Sequence, residues 1–384
     1  MKVLFFANKM PDLCGAFLHD IDLAIELQKR GHNVVFLTIK VPREGFSGGT
    51  YRGFRFLHYT AASSFLDTSD VWICPHAPVL PELRKINSRG YNRPIVATCH
   101  YDGNYLTITR NAENKWVEML MFINSIMEPN YRKNIVPFPP SIVRTEVIRP
   151  IMHRDKILIT EPFKGDCITI VNANQNKGVA QFIELAKRMP SRKFLGVLPY
   201  YGELRVPPAT SNVEWTGFDD DIRNILKRTR ILVLPSYYES FGRIAVEAMI
   251  NGIPVIYSKP VVPSIYPGGS TEGVQSWIGD AAIACNREKP EEWIAEIDNL
   301  DDEEVYAKRS EDSKLHIDSL DLFSEAGRIA QVVESFSKQH PIIIRSSAQQ
   351  SVAAPRAANE MPRLREPVGP VGFGFSNGRL NIRR

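Results

Sequence analysis

The sequence predicts an α/β protein built from two Rossmann-like αβα domains. Three observations carry this reading. Short apolar runs recur at 2–7, 34–39, 71–74, 95–98, 167–171, 194–198 and 231–234, the mark of strands buried on both faces of a parallel sheet. Segments of helical periodicity closed by glycine stand between several of them. The length of 384 residues, 43% of them apolar, suits two or three domains with full cores.

In the first half, Lys2–Ala7 reads as a strand and 8–19 as a loop containing Gly15. A helix is expected over 20–30, with Ile21, Ala24, Ile25 and Leu27 inward and Gly31 as its stop. The next strand, 34–39, completes a βαβ opening without G-x-G-x-x-G, so no dinucleotide fingerprint is present. Gly45-Phe46-Ser47-Gly48-Gly49 matches G-x-S-x-G in letters only. The nucleophile elbow needs a strand before its serine and a helix after it, which argues against hydrolase chemistry. Strands 71–74 and 95–98 end beside His76 and His100, with Asp102 a weaker candidate. Trp116, Leu120, Phe122 and Ile123 suggest a packed helix over 111–127. Tyr131-Arg132-Lys133 reads as a solvated face. Pro137 to Pro140 and Pro150 mark irregular chain, and a linker is placed at 154–162.

The second half repeats the plan: strand 167–171, loop 172–177, Gly178, helix 179–188, strand 194–198. Asn212 to Thr216 and Gly217 follow as strand and turn. Asp219-Asp220-Asp221 opens a helix over 222–229, so N-capping accounts for it better than a metal site. The stretch 231–256, ILVLPSYYESFGRIAVEAMINGIPVI, reads as strand, polar loop, short helix and strand. Gly252 suits the left-handed position past the helix end, and Pro254 prevents continuation. The loop brings Glu239, Ser240, Phe241, Gly242 and Arg243 to a helix start at the carboxyl edge of a parallel sheet, where ligands bind and free N–H groups suit phosphate. Glu247 follows within the helix. A strand at 281–284 and a helix at 290–300 come next, and 318–337 reads as a long terminal helix.

Net charge is +4, yet residues 345–384 hold seven Arg and two Glu, so the body is near neutral and the tail basic. Nothing in the body calls for nucleic acid. The tail lacks periodicity and is expected to be disordered; it could meet an acidic partner, nucleic acid or a membrane surface, or serve solubility. Five scattered cysteines without a C-x-x-C pair suit a reducing cytoplasm. Neither a signal peptide nor a membrane span is read, so the expected location is cytoplasmic, with peripheral membrane association left open.

The words PS-x-x-ESFG and EAM-x-x-G-x-PV, with the two glutamates as E-x7-E, resemble the donor-site signature of retaining GT-B glycosyltransferases of family 4. Gly31-His32-x-Val34 near the first helix and Asn172 to Gly178 as N-x-x-x-x-KG are similar to the same family. The resemblance implies the GT-B fold, two domains facing across a cleft, and a terminal helix crossing back to the first. It implies that Glu239 orients the transferred sugar, Glu247 holds the ribose and Lys177 binds the diphosphate with the amides after Glu239. It also implies that His100 reaches the sugar from the first domain. Gly15 and Gly217 match looser elements near phosphate and base. The family's glycine pair is reduced here to Gly15-Ala16, and its additional Arg before the lysine is replaced by Asn172 and Asn174, leaving phosphate neutralisation to Lys177 with Arg243.

The expected activity is metal-independent retaining transfer from a nucleotide sugar, UDP- or GDP-linked, to an unidentified hydroxyl acceptor, with no cofactor. Alternatives are transfer to a hydroxylated base in nucleic acid, a non-catalytic nucleotide-sugar-binding protein and, less favoured, a sugar epimerase.

Overall fold

A computed structural model describes residues 1–8, 14–40, 49–74, 79–100, 117–134, 144–200, 210–260, 271–339, 374–376 and 379–381. The chain divides into two compact units, Met1–Ile342 and Ile343–Arg384. His76, Asp102, Trp116, Ser47 and the Gly268 to Ser270 turn lie outside the described residues.

Within the first unit, an N-terminal lobe is built on eight strands: β1 (Lys2–Ala7), β2 (Asn33–Thr38), β3 (Thr50–Tyr51), β4 (Phe54–His58), β5 (Val71–Cys74), β6 (Ile95–Cys99), β7 (Met119–Phe122) and β8 (Arg144–Val147), in the order β3-β4-β2-β1-β5-β6-β7-β8. Every neighbouring pair is parallel except the β3–β4 hairpin. Its helices are α1 (Gly15–Lys29), α2 (Ser63–Thr68), α3 (Leu80–Asn87) and α4 (Met127–Asn134), and α5 (Arg154–Ile157) begins the passage to the second lobe. Phe5, Phe6, Phe36, Phe56, Trp72 and Phe122 form its buried aromatic core.

The C-terminal lobe holds β9 (Cys167–Val171), α6 (Val179–Arg188), β10 (Lys193–Val197), β11 (Val213–Thr216), α7 (Ile222–Leu226), β12 (Thr229–Leu234), α8 (Arg243–Met249), β13 (Val255–Ser258), α9 (Glu272–Ile278), β14 (Ile283–Cys285), α10 (Pro290–Asn299) and α11 (Glu303–Ser319). The strands run in the order β11-β10-β9-β12-β13-β14, all parallel. The chain winds one way from β9 and the other way from β12, so their carboxyl ends flank the topological switch point where open α/β sheets bind ligands. The loops leaving these two strands carry Lys177 and Glu239.

A last helix, α12 (Glu325–Gln339), returns to the N-terminal lobe. Arg30 Nε donates to Glu334 at 2.8 Å, Arg328 Nη2 to the Val147 carbonyl at 2.7 Å and Arg144 Nη1 to Ser335 Oγ at 3.1 Å. The crossing thus follows the expectation, while the helix itself is shorter than 318–337. Asp321, in the left-handed region at φ 48°, breaks the segment in two, and α11 before the break is a helix the periodicity did not single out.

Other differences have simple causes. Residues 119–122 form a strand where a helix is expected. An apolar run buried on both faces looks alike in either state, and Met119, Leu120, Met121 and Phe122 are all fully buried. Helix α1 starts at Gly15 rather than near 20, with Cys14, in extended conformation and without a side-chain cap bond, at the N-cap position. Strand β8, with its Arg and Glu side chains, carries no apolar signal. In the second unit, Gly374–Ser376 pairs antiparallel with Arg379–Asn381, a two-strand ladder that the aperiodic sequence does not announce.

Candidate active site

Loop 172–178 ends at Gly178, whose φ of +78° places it in the left-handed region. A Cβ there would stand 2.0 Å from the Pro235 carbonyl oxygen, so glycine is what lets the loop after β9 lie against the loop after β12. Asn174 Oδ1 accepts from the Lys177 amide at 3.1 Å within the first loop, and Tyr237 N donates to the Asn176 carbonyl at 2.9 Å, which ties the two loops together. The result is a Lys177 Nζ to Glu239 Oε1 ion pair of 2.5 Å. Ser236 Oγ donates to the same oxygen at 2.9 Å. Glu239 is 5% exposed, which such a carboxylate tolerates only when paired and hydrogen-bonded.

Gly242, at φ +73°, opens α8. Phe241 stacks on Trp277 at 5.1 Å, and Trp277 Nε1 donates to the Phe241 carbonyl at 2.7 Å, which anchors the loop to α9. One turn into α8, Glu247 accepts from Arg243 Nε at 2.9 Å. Arg243 is spent on structure: Nη1 donates to the Ile151 carbonyl at 2.9 Å and Nη2 to Asp22 Oδ2 at 3.0 Å. Burial works against its charge, but Glu247 and Asp22 outweigh it and hold the guanidinium protonated more firmly than usual. Burial pushes the Glu247 carboxyl above the usual carboxylate range, opposed by Arg243. The expected sharing of phosphate charge between Lys177 and the Arg243 side chain therefore does not fit this geometry, although Arg243 lines the cleft.

These groups face a cavity of about 350 Å³ between the lobes, within the size range of small-molecule sites. Gly15, His100, Lys177, Glu239, Ser240, Phe241, Gly242, Arg243 and Glu247 all line it. Gly217 does not: its neighbour Phe218 forms the wall instead. His100 stands just past β6, its ring 5.4 Å from that of His19 on α1. Ile151 N donates to His19 Nδ1 at 2.9 Å, and burial, with the Arg243 charge second, lowers His19 to about 3. His19 is thus a neutral support beside His100. At the helix start of α7, Asp221 Oδ1 accepts from Arg223 N at 3.1 Å, the capping role expected for the aspartate triplet.

Several residues in and around the wall escaped the sequence. Asp22 hides in the buried face of α1. Arg52 comes from the β3–β4 turn at φ 46° and reaches Asp220 Oδ1 across the cleft at 3.3 Å, beside Tyr51, whose hydroxyl donates to the same oxygen at 2.5 Å. Asn124 Nδ2 donates to the Ser240 carbonyl at 2.6 Å. Each acts through a tertiary contact with no local pattern.

The fold and the cleft define a GT-B architecture: two parallel-sheet, Rossmann-like lobes with the helix start of α8 at the seam. Solved structures share it. Anabaena HepE, in complex with UDP and glucose, is similar over 87% of this chain and 100% of its own at 16% identity, with a TM-score of 0.64. Sucrose-phosphate synthase from Thermosynechococcus elongatus is similar over 88% of this chain and 100% of its own at 14% identity and 0.67. Residues 209–311, which carry both glutamates, match the family Glycosyl transferases group 1. A curated relative, D-inositol 3-phosphate glycosyltransferase of Corynebacterium kroppenstedtii, is 25% identical over 123 residues, 32% of this chain. The match spans 25% of that relative's length.

Proposed function

We propose that the protein is a retaining glycosyltransferase that moves a sugar from a nucleoside diphosphate, UDP- or GDP-linked, to a hydroxyl acceptor. The observation that carries this is the convergence of Lys177, Glu239 and Glu247 on one interlobe cavity at the switch point of the C-terminal sheet. Lys177 has three N–H donors, one of them engaged by Glu239, so two can meet the oxygens of a diphosphate. As the glycosidic bond breaks, charge grows on the leaving phosphate, where this ammonium and the α8 helix start stabilise it. The Glu239 carboxylate orients the sugar hydroxyls and favours positive charge at the anomeric carbon. Glu247 accepts from the ribose hydroxyls. His100 meets the sugar from the opposite lobe and helps to exclude water as the cleft closes. No general base is assigned, because in a front-face transfer the departing phosphate takes the acceptor's proton.

The test is a thermal-shift panel of nucleoside diphosphates and their sugars on wild type and Glu247→Ala. A ligand at a hundred times its Kd adds about 2.7 kcal/mol. A shift with one nucleotide family, reduced in the variant, supports the reading and identifies the base. A flat panel sinks it.

A further inference from the structure

The loop that carries Glu239 and the carboxylate of Glu247 are each tied to the opposite lobe. The first tie runs through Asn124, 6% exposed, which follows β7. Its Oδ1 accepts from Ile126 N and Met127 N, each at 3.0 Å, at the start of α4. That fixes the amide, and Nδ2 then points at the Ser240 carbonyl, 2.6 Å away, one residue past Glu239. The same carbonyl is backed from within its own lobe: a Cβ on Gly273 would lie 2.0 Å from it. The Ser240 peptide is therefore gripped between α9 and the N-terminal lobe.

The second tie runs through Asp22, 2% exposed, on α1. Its Oδ2 receives Arg243 Nη2 at 3.0 Å, and Arg243 Nε donates to Glu247 Oε1 at 2.9 Å. Arg52 and His153 also face Asp22, at 4.0 and 3.8 Å. One oxygen of Glu247 is thus occupied and the carboxylate plane set.

We infer that Asp22 and Asn124 are positioning residues: the N-terminal lobe sets the posture of Glu239 and Glu247, each through one intermediate group, so that the donor half is complete only when the lobes are together. The inference rests on the proposed donor role of these glutamates for its functional meaning, while the mechanical coupling stands on the contacts alone.

The test is hydrogen–deuterium exchange on the full chain without nucleotide, for wild type, Asp22→Asn and Asn124→Ala, with UDP and GDP affinity by calorimetry alongside. Exchange across 237–249 is expected to quicken about fivefold or more in both variants, while 179–197 in the same lobe keeps its wild-type rate. Kd for whichever nucleotide the wild type binds weakens by a similar factor. Unchanged exchange across 237–249 overturns the inference. So does a uniform increase over the lobe, the sign of mere destabilisation. Should Asp22→Asn fail to fold, Asp22→Glu keeps the charge, displaces it by one methylene and is read in the same way. If the wild type binds neither UDP nor GDP, it is the donor reading that fails, and the exchange rates still decide the coupling.

Discussion

Lys177 and Glu239, 62 residues apart in sequence, meet at 2.5 Å because the loops after β9 and β12 leave the sheet side by side. Lys177→Ala would leave a carboxylate at 5% exposure with the Ser236 hydroxyl still donating to it. The expected stability loss is about 1–3 kcal/mol, moderated because the lysine is itself 27% exposed. Loss of leaving-group stabilisation should lower kcat by about 10²–10³-fold. Urea unfolding and initial rates with the donor found in the ligand panel check the two effects separately.

Arg243 offers a different kind of outcome. Arg243→Ala takes the hydrogen-bonded cation from Asp22 and Glu247, 2% and 7% exposed, leaving Asp22 the longer contacts to Arg52 and His153, and breaking a buried charge pair from one side costs about 3–5 kcal/mol. Adding Asp22→Asn to Arg243→Ala removes one of the stranded charges, so the double variant should be more stable than the sum of the singles predicts, by about 0.5–3 kcal/mol. A double-mutant cycle from urea midpoints measures this; strict additivity would refute the pairing.

Glu118 supplies a pH dependence. Its Oε2 accepts from Ile95 N at 2.7 Å, and burial raises its pKa from 4.5 to about 7 despite that bond. A folded-state pKa above the unfolded one contributes stability that is full below pH 4.5 and is lost as pH rises through about 7. The slope in that window approaches about 1.4 kcal/mol per pH unit for one proton. His19 acts in the opposite sense, since its lowered pKa destabilises the fold as pH falls below 6.5 towards 3. The informative quantity is therefore the difference between wild type and Glu118→Gln, which should decline from pH 4.5 to 7. A difference that does not vary with pH would show that Glu118 titrates normally.

The parallel-sheet architecture was readable because buried strands such as Cys167–Val171 and Thr229–Leu234 stand out as apolar runs between glycine-stopped helices. Glu239, Glu247 and Lys177 were readable because chemistry and backbone share the same words: the glycines at 178 and 242, both in the left-handed region, punctuate the loops that carry them. What stayed hidden depends on the other lobe. Nothing local marks Asp22 as the partner of Arg243 or Asn124 as the donor to Ser240. Sequence alone leaves Arg243 available for phosphate, because its partner Asp22 lies in the other lobe. The strand Met119–Phe122 is hidden for a subtler reason: full burial erases the alternation that tells strand from helix.

The return of α12 onto the first lobe has a consequence for biosynthesis. Arg30, Arg144 and Val147 find their partners in residues that leave the ribosome only after the entire C-terminal lobe has been made. Domains generally fold in order of emergence, but here the first to emerge is among the last to be finished. Until Glu325–Gln339 arrives, the side of α1 that it packs against belongs to an open surface, and the nascent chain must carry that unfinished face through the synthesis of its second half.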